Sequence, residues 1–364
     1  MGWLDTLFER LQVALARPQA ARSWRCRCGA QVFFGNSQCL ACGTPLGFDP
    51  ASLALRPLPL PGPDGAPQQR CVNFTAVGCN WLLPAREAAR QGGLCRACRL
   101  NRTLPDLAQD DNREAWRAIE TAKRRLVSQL LALGLPVHSR LTEDPARGLM
   151  FDFLRPLPGA AVLTGHAGGL ITLNVEEADD ARREQIRRAL REPYRTLLGH
   201  LRHEIGHYYW DRLVAGSGWL PLFRQRFGDE RESYAAALQR HYQHGPRADW
   251  SQSFISAYAS THPWEDWAES FAHYLHLIDT VDTALSYGLS ADDVDMAIQP
   301  FGRDALDNEA DAPRFLRLLN GWLELTAVLN ELSRSMGQPD FYPFVLSRAA
   351  VAKLHLVHRV VVGV

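Results

Sequence analysis

Apolar positions recur at helical spacing in several separate stretches of the chain. Trp3, Leu4, Leu7, Phe8, Leu11, Val13 and Leu15 lie opposite Asp5, Glu9 and Arg10, which predicts a short N-terminal amphipathic helix docked on the protein. Residues 112–133 place Trp116, Ile119, Ala122, Leu126 and Leu130 on one face. A stretch from Pro193 puts Leu197, Leu198, Leu201, Ile205 and Tyr208 together, with Pro193 suited to a first helical position. A further helix opens at Pro263, capped by Thr261 or His262 and packed by Trp267, Phe271 and Leu275. Residues 229–244 read as a connecting helix, and 277–364 as mostly helical with loop breaks. Strand-like runs fall at 149–154, 161–164 and 170–175. The run 170–174 lies shortly before the helix from Pro193. Residues 31–36 predict a β-hairpin with Gly35-Asn36 near its tip, and the proline-rich 57–65 a stiff extended connector.

The 364 residues are 46% hydrophobic and carry 40 basic against 40 acidic side chains. That composition supports a real core and excludes a disordered tail, a collagen and a polybasic nucleic-acid wrapper. Only Lys123 and Lys353 are lysines, so arginine supplies nearly all the positive charge. The neutral total is also uneven. Residues 1–106 hold twelve arginines against six acids, which leaves the remainder net acidic. The start lacks the features of a secretory signal and no run of 18 apolar residues occurs, so a cytoplasmic protein without a membrane partner is expected.

All eight cysteines lie in the basic first third. Cys26, Cys28, Cys39 and Cys42 form one group; Cys71, Cys79, Cys95 and Cys98 form another. Closely spaced cysteines let two thiolates converge on one zinc, and Gly29 and Gly43 relieve the tight turns behind them. The layout predicts a zinc ribbon with two structural zincs, since four thiolates leave no position open for substrate.

The sharpest chemical signal is His203-Glu204-Ile-Gly-His207. Four residues apart on a helix, both imidazoles project from one face, where a single zinc can bridge them. Glu204 stands beside the first of them, where a carboxylate can take a proton from activated water. A catalytic zinc needs a third protein ligand. Glu265 is the favoured candidate, with His262, His273 and His276 competing. Glu269 shares a helical face with Glu265. Asp211, one turn beyond His207, reads either as support for that histidine or as a partner of Arg212.

The His203-Glu204-x-x-His207 motif followed by an acidic helix resembles the gluzincin metallopeptidases, and the zincin fold this implies places an edge strand, able to pair with extended substrate, where the run 170–174 falls; an ordinary sheet strand is the alternative there. Tyr258 and Glu265-Asp-Trp-Ala-Glu269 are similar to the corresponding segment of anthrax lethal factor-type peptidases. That resemblance implies Glu265 as third ligand, Glu269 as a partner of His203, and Tyr258 as donor to the oxyanion. Nearly the whole chain resembles a bacterial family of zinc-ribbon metallopeptidases, through Cys39-Leu-Ala-Cys42-Gly, Gly165-His-Ala-Gly-Gly169, Tyr194-Arg-Thr-Leu-Leu-Gly-His200 and His262-Pro-Trp-Glu-Asp-Trp-Ala-Glu269. The expected chemistry is peptide hydrolysis by a zinc-activated water, its pKa lowered to about 7, with Glu204 as general base.

The resulting expectation is an α+β protein. A zinc-ribbon module covers 1–106, a zincin-like metallopeptidase domain 107–280, and a C-terminal helical region 281–364. One catalytic and two structural zincs serve a protein or peptide substrate. Two alternatives remain at this level. One is a protease recruited to nucleic acid or another partner by the basic module; the other is a non-catalytic interaction protein stabilised by zinc.

Overall fold

A computed structural model describes residues 21–62, 65–190, 192, 194–288, 301–306 and 309–363. The N-terminal helix expected from the pattern, and Pro193, lie outside the described residues. The architecture is mixed α+β and divides into two compact units, one covering Gln19–Leu201 and the other containing Arg202–Val364.

In the first unit, β1 (Ser23–Arg25) pairs antiparallel with β2 (Gln31–Phe33), Trp24 opposite Val32. The hairpin therefore turns at the first cysteine pair and not at Gly35-Asn36 as its sequence suggested. Cys26 N–H bonds to the Ala30 carbonyl and Gly29 N–H to the Cys26 carbonyl, a closure that needs the left-handed φ of +87° at Gly29. Gly35-Asn36 instead ends β2: the Asn36 side chain accepts from the Phe33 N–H while its own N–H returns to the Phe33 carbonyl.

Two small ladders follow, β3 (Leu46–Asp49) with β4 (Ala54–Pro57) and β5 (Gln69–Arg70) with β6 (Leu82–Leu83). The start of the proline-rich segment is thus strand, Pro57 lying opposite Leu46. Phe48 joins the pieces, its ring 4.9 Å from both Phe34 and Trp81. The Asn80 side chain donates to the Phe34 and Asn36 carbonyls.

A four-stranded sheet has the order β7 (Asn101–Thr103), β8 (Met150–Leu154), β10 (Leu170–Asn174), β9 (Gly165–Ala167). The strand before residue 107 is therefore built into the same sheet as the strands after it. β10 runs parallel to β8 on one side and antiparallel to β9 on the other. Both of its ladders are occupied, so it is not the edge strand expected from sequence and has no free side to offer a substrate. Residues 161–164 form no strand. Their polar bonding goes through side chains: Thr164 donates to Glu177 and accepts from the Asn174 N–H, while Asn174 Nδ2 donates to the Val162 carbonyl. In the same unit α1 (Asp110–Ala132) buries Trp116, Ile119, Leu126 and Leu130, with Asp110 and Asp111 complementing its N-terminal dipole. α2 covers Asp180–Leu190.

The boundary between the units falls inside α3 (Leu197–Tyr209), which begins where Thr196 Oγ1 accepts from the Gly199 N–H at 3.0 Å. Beyond it the second unit contains a π-helical turn over Trp210–Val214, α4 (Leu220–Phe227), α5 (Tyr234–His244), α6 (Pro263–Ser286), α7 (Ala312–Ser335) and α8 (Arg348–Val362). α5 starts later than the pattern suggested, because Ser233 caps it by accepting from the Ala236 N–H. The core of this unit lies around α6, where Trp267, Phe271, Tyr274 and Ile278 are fully enclosed. From α8, Lys353 reaches in to pair with Asp266 at 2.6 Å and to donate to the Ser253 carbonyl at 2.7 Å. Among the described residues no helix is long and apolar enough to cross a membrane.

Candidate metal centre

α3 and α6 meet at a glycine. A Cβ at Gly206 would lie 3.0 Å from Ala268 Cα and 3.2 Å from Phe271 Cβ, so any other residue would make the helices give by a few tenths of an ångström. Trp267 Nε1 donates to the Gly206 carbonyl at 3.0 Å and pins the contact. Arg202, also buried, donates to Asp279 and to His276 Nδ1, each at 2.7 Å.

This crossing brings His203, His207 and Glu265 together. The two Nε2 atoms are 3.2 Å apart, His203 Nε2 is 3.0 Å from Glu265 Oε2, and His207 Nε2 is 3.6 Å from Glu265 Oε1. His203 Nδ1 lies 2.7 Å from Glu269 Oε1, whose partner oxygen accepts from Ser256 Oγ at 2.6 Å. A carboxylate only accepts, so Nδ1 carries a proton, and in the neutral imidazole Nε2 keeps its lone pair. That lone pair faces the Nε2 of the other imidazole and a carboxylate oxygen, all three within one cluster. Lone pairs held this close repel unless a cation lies among them. Nitrogen and oxygen ligands of one tetrahedral zinc, at 2.0–2.1 Å from it, stand about 3.3 Å apart, so the residues present fit the ion.

The two carboxylates favour a positive charge at this point, whether a proton on His203 Nε2 or a metal cation, while burial lowers the pKa of His207. Burial opposes ionisation of His203, but the hydrogen bonds to Glu265 and Glu269 outweigh it and raise its pKa well above the imidazole range. Burial likewise opposes charge on Glu265 and Glu269, yet their histidine partners hold Glu265 well below the carboxylate range and bring Glu269 down to about 2. Glu204 is buried on the same helix. Tyr258 sits with its ring 5.9 Å from that of His203. Trp264 lies against His207 with ring centroids 3.9 Å apart.

The other histidines weighed as ligands are engaged elsewhere. His262 caps α6, its Nδ1 accepting from the Trp264 N–H and its Nε2–H donating to the Glu232 carbonyl. His273 Nδ1 meets the Tyr342 hydroxyl at 2.6 Å, and His276 Nδ1 receives the Arg202 guanidinium. Asp211 opens the π-turn and is exposed. Among the described residues no hydrogen bond or ion pair joins it to His207 or Arg212.

The cysteines form two sequential clusters, Cys26/Cys28/Cys39/Cys42 and Cys71/Cys79/Cys95/Cys98, and all are free thiols. In the first, Cys26–Cys42 and Cys28–Cys39 sulfurs are 3.7 Å apart; in the second, Cys79 Sγ is 3.6 Å from Cys95 and 3.7 Å from Cys98. Four thiolates 2.3 Å from a common zinc stand about 3.8 Å apart, so both clusters fit that ion. The second is wholly buried, and the Cys95 N–H donates to Cys71 Sγ at 3.4 Å. In the first, the Thr44 hydroxyl and N–H bring the Cys42 thiol down to about 6. A fourth grouping, Glu309, Asp311 and His355, already holds the Arg359 guanidinium against both acids.

A family model described as "Putative zinc-binding metallo-peptidase" matches residues 112–360, and a zinc-ribbon domain model matches residues 23–109. The chain belongs to that metallopeptidase family. Uncharacterized proteins of Mycobacterium tuberculosis and Mycobacterium bovis are each 44% identical over 342 residues, covering 93% of this chain and 95% of theirs. No solved structure matches. Zinc is the metal that the family and the ribbon both support, and the family match takes in every residue of the His203–His207–Glu265 cluster.

Two residues at the centre have no motif to announce them. Tyr234 donates to Glu265 Oε1 from 31 positions upstream, and Ser256 bonds Glu269 from 13 upstream. Burial and the neighbouring Glu265 charge push the hydroxyls of Tyr234 and Tyr258 far up, so both remain protonated donors.

Proposed function

We propose that this protein hydrolyses peptide bonds in a protein or peptide substrate, with His203, His207 and Glu265 holding one catalytic zinc and the eight cysteines two structural ones. The observation that carries this reading is the convergence of His203 Nε2, His207 Nε2 and the two Glu265 carboxylate oxygens at 3.0–3.6 Å, with Glu269 fixing the tautomer of His203 behind them. When bound, zinc supplies a Lewis acid that acidifies water and polarises a carbonyl. Glu204, one residue from His203 and buried, is the general base: it accepts the proton of the attacking water and passes it to the leaving amine. Tyr258, held protonated beside His203, donates to the oxygen on which charge develops. Glu269 and Ser256 keep the His203 imidazole in the orientation and tautomer that present Nε2.

Glu204→Gln tests the reading. On an unfolded protein such as casein, the variant is expected to lose activity by about 10²–10⁴-fold, the worth of a positioned general base. Metal analysis is expected to give about three zincs per chain in both forms. Full activity in Glu204→Gln overturns the proposal.

A further inference from the structure

The reading above uses Glu265 as a ligand but gives no reason for its carboxylate to hold one orientation. Glu265 is 1% exposed, so its oxygens depend on protein donors. Tyr234, the first residue of α5, supplies one: its hydroxyl donates to Oε1 at 2.7 Å. The phenol ring is held edge-on by His262 at 5.3 Å and by Trp264 at 5.9 Å, the two residues that flank the start of α6. Oε1, held by Tyr234, lies 3.6 Å from His207 Nε2, and Oε2 lies 3.0 Å from His203 Nε2.

The helix that carries this hydroxyl is no core element. Of its eleven residues only Ala237 is buried, and Tyr234 is itself 38% exposed. What α5 brings to the interior is polar and aromatic. Besides Tyr234 it presents His241, with Nδ1 3.0 Å from Thr261 Oγ1 and its ring 5.8 Å from that of Tyr258. A solvent-exposed helix that places a tyrosine hydroxyl on a buried carboxylate is poorly explained by packing.

We propose that Tyr234 is a positioning residue for the metal centre: its hydroxyl holds Oε1 of Glu265, so that Oε2 is presented to the ion shared with His203 and His207. α5 then sets the metal affinity of a site whose ligands all lie on α3 and α6. This rests on the reading of those three residues as zinc ligands. Removing the hydroxyl leaves a buried carboxylate oxygen without its donor and frees the group to rotate, and loss of such a partner behind a ligand typically weakens metal affinity about 10–100-fold.

The test uses full-length protein loaded with zinc and titrated with a competing chelator, comparing wild type, Tyr234→Phe, His203→Ala and Gln239→Ala. Gln239 is exposed on the same helix and serves as the control for damage to α5. Circular dichroism confirms folding, and the visible spectrum of the Co²⁺-substituted forms reports coordination. Tyr234→Phe is expected to keep the cysteine-bound zincs, to release the remaining zinc about 10–100-fold more readily and to alter the Co²⁺ bands, while Gln239→Ala matches wild type. An unchanged affinity and spectrum in Tyr234→Phe overturns the inference and leaves the function standing. If His203→Ala removes no zinc that wild type holds, the site assignment itself fails, and the inference with it.

Discussion

The proton on His203 decides how the centre works. Glu269 accepts it at Nδ1, and Ser256 occupies the other Glu269 oxygen, so the acceptor cannot swing away. Two effects are combined in that contact: a fixed tautomer and a more basic Nε2. They can be separated. Glu269→Ala removes both and is expected to weaken zinc binding at the His203–His207–Glu265 cluster by about 10–100-fold, whereas Glu269→Gln keeps an acceptor and should cost less. Chelator competition on the two variants measures the difference; equal affinities across wild type and both variants would remove Glu269 from the proposed machinery. At this scale the sequence was readable where helical spacing does the work. His203 and His207 share a face because four residues separate them, as do Glu265 and Glu269. Tyr234 and Ser256 were not readable, since a hydroxyl that reaches a carboxylate through space leaves no periodic trace.

Helices place those side chains, and the decisive contact is between two of them. Gly206 precedes His207 and lets α3 lie against Ala268 and Phe271 of α6. Gly206→Ala should gain about 1 kcal/mol of helix propensity, yet its methyl meets backbone atoms of Ala268 that cannot rotate away. Overpacking of this kind costs about 1–3 kcal/mol, so a net loss of stability is expected, along with weaker zinc binding as the helices part. A melting temperature equal to or above that of wild type would show that the crossing can relax. The other end of the chain belongs to the same construction. α8 held no residue with a role evident from sequence, but its Lys353 spans Asp266, next to Glu265, and the Ser253 carbonyl, ahead of the segment bearing Ser256 and Tyr258. The strand expectations failed where pairing partners decide. The ribbon hairpin turned at Cys26–Ala30 because the cysteine turn closes there, and β10 proved internal because β9 covers its other side.

Across the whole molecule, both lysines are buried. Lys123 is fully buried in a pair with Glu120 at 2.6 Å, and Lys353 is 5% exposed against Asp266. Glu120 also lies 3.8 Å from Cys98 Sγ and accepts from Asn101 and Trp116, so Lys123 is enclosed in the surroundings of the second cysteine cluster. Arginine supplies the rest of the Lys+Arg charge, and among the described residues Arg22, Arg99, Arg124 and Arg202 are buried as well. An amine-reactive reagent should therefore leave both lysines of the native protein unmodified. After chelation of the cysteine-bound metal, Lys123 should become labelled before Lys353, because metal binding at such sites is part of the folding free energy. Peptide mapping reads the order; early labelling of Lys123 in the metal-loaded protein would contradict its burial.

The sequence by itself determined what depends on neighbours along the chain. These are the helical faces of α1, α3 and α6 and the turns at the first cysteine pairs. Short-range periodicity and loop closure govern all of these, and both are written in consecutive residues. Tertiary structure alone decided which strand became internal, that a glycine opens the α3–α6 crossing, and that a hydroxyl from an exposed helix and an ammonium from α8 reach the two acids at the start of α6. The hydroxyl and ammonium contacts, Tyr234–Glu265 and Lys353–Asp266, join residues 31 and 87 positions apart, where no local rule links one residue to the other and only the packed chain can.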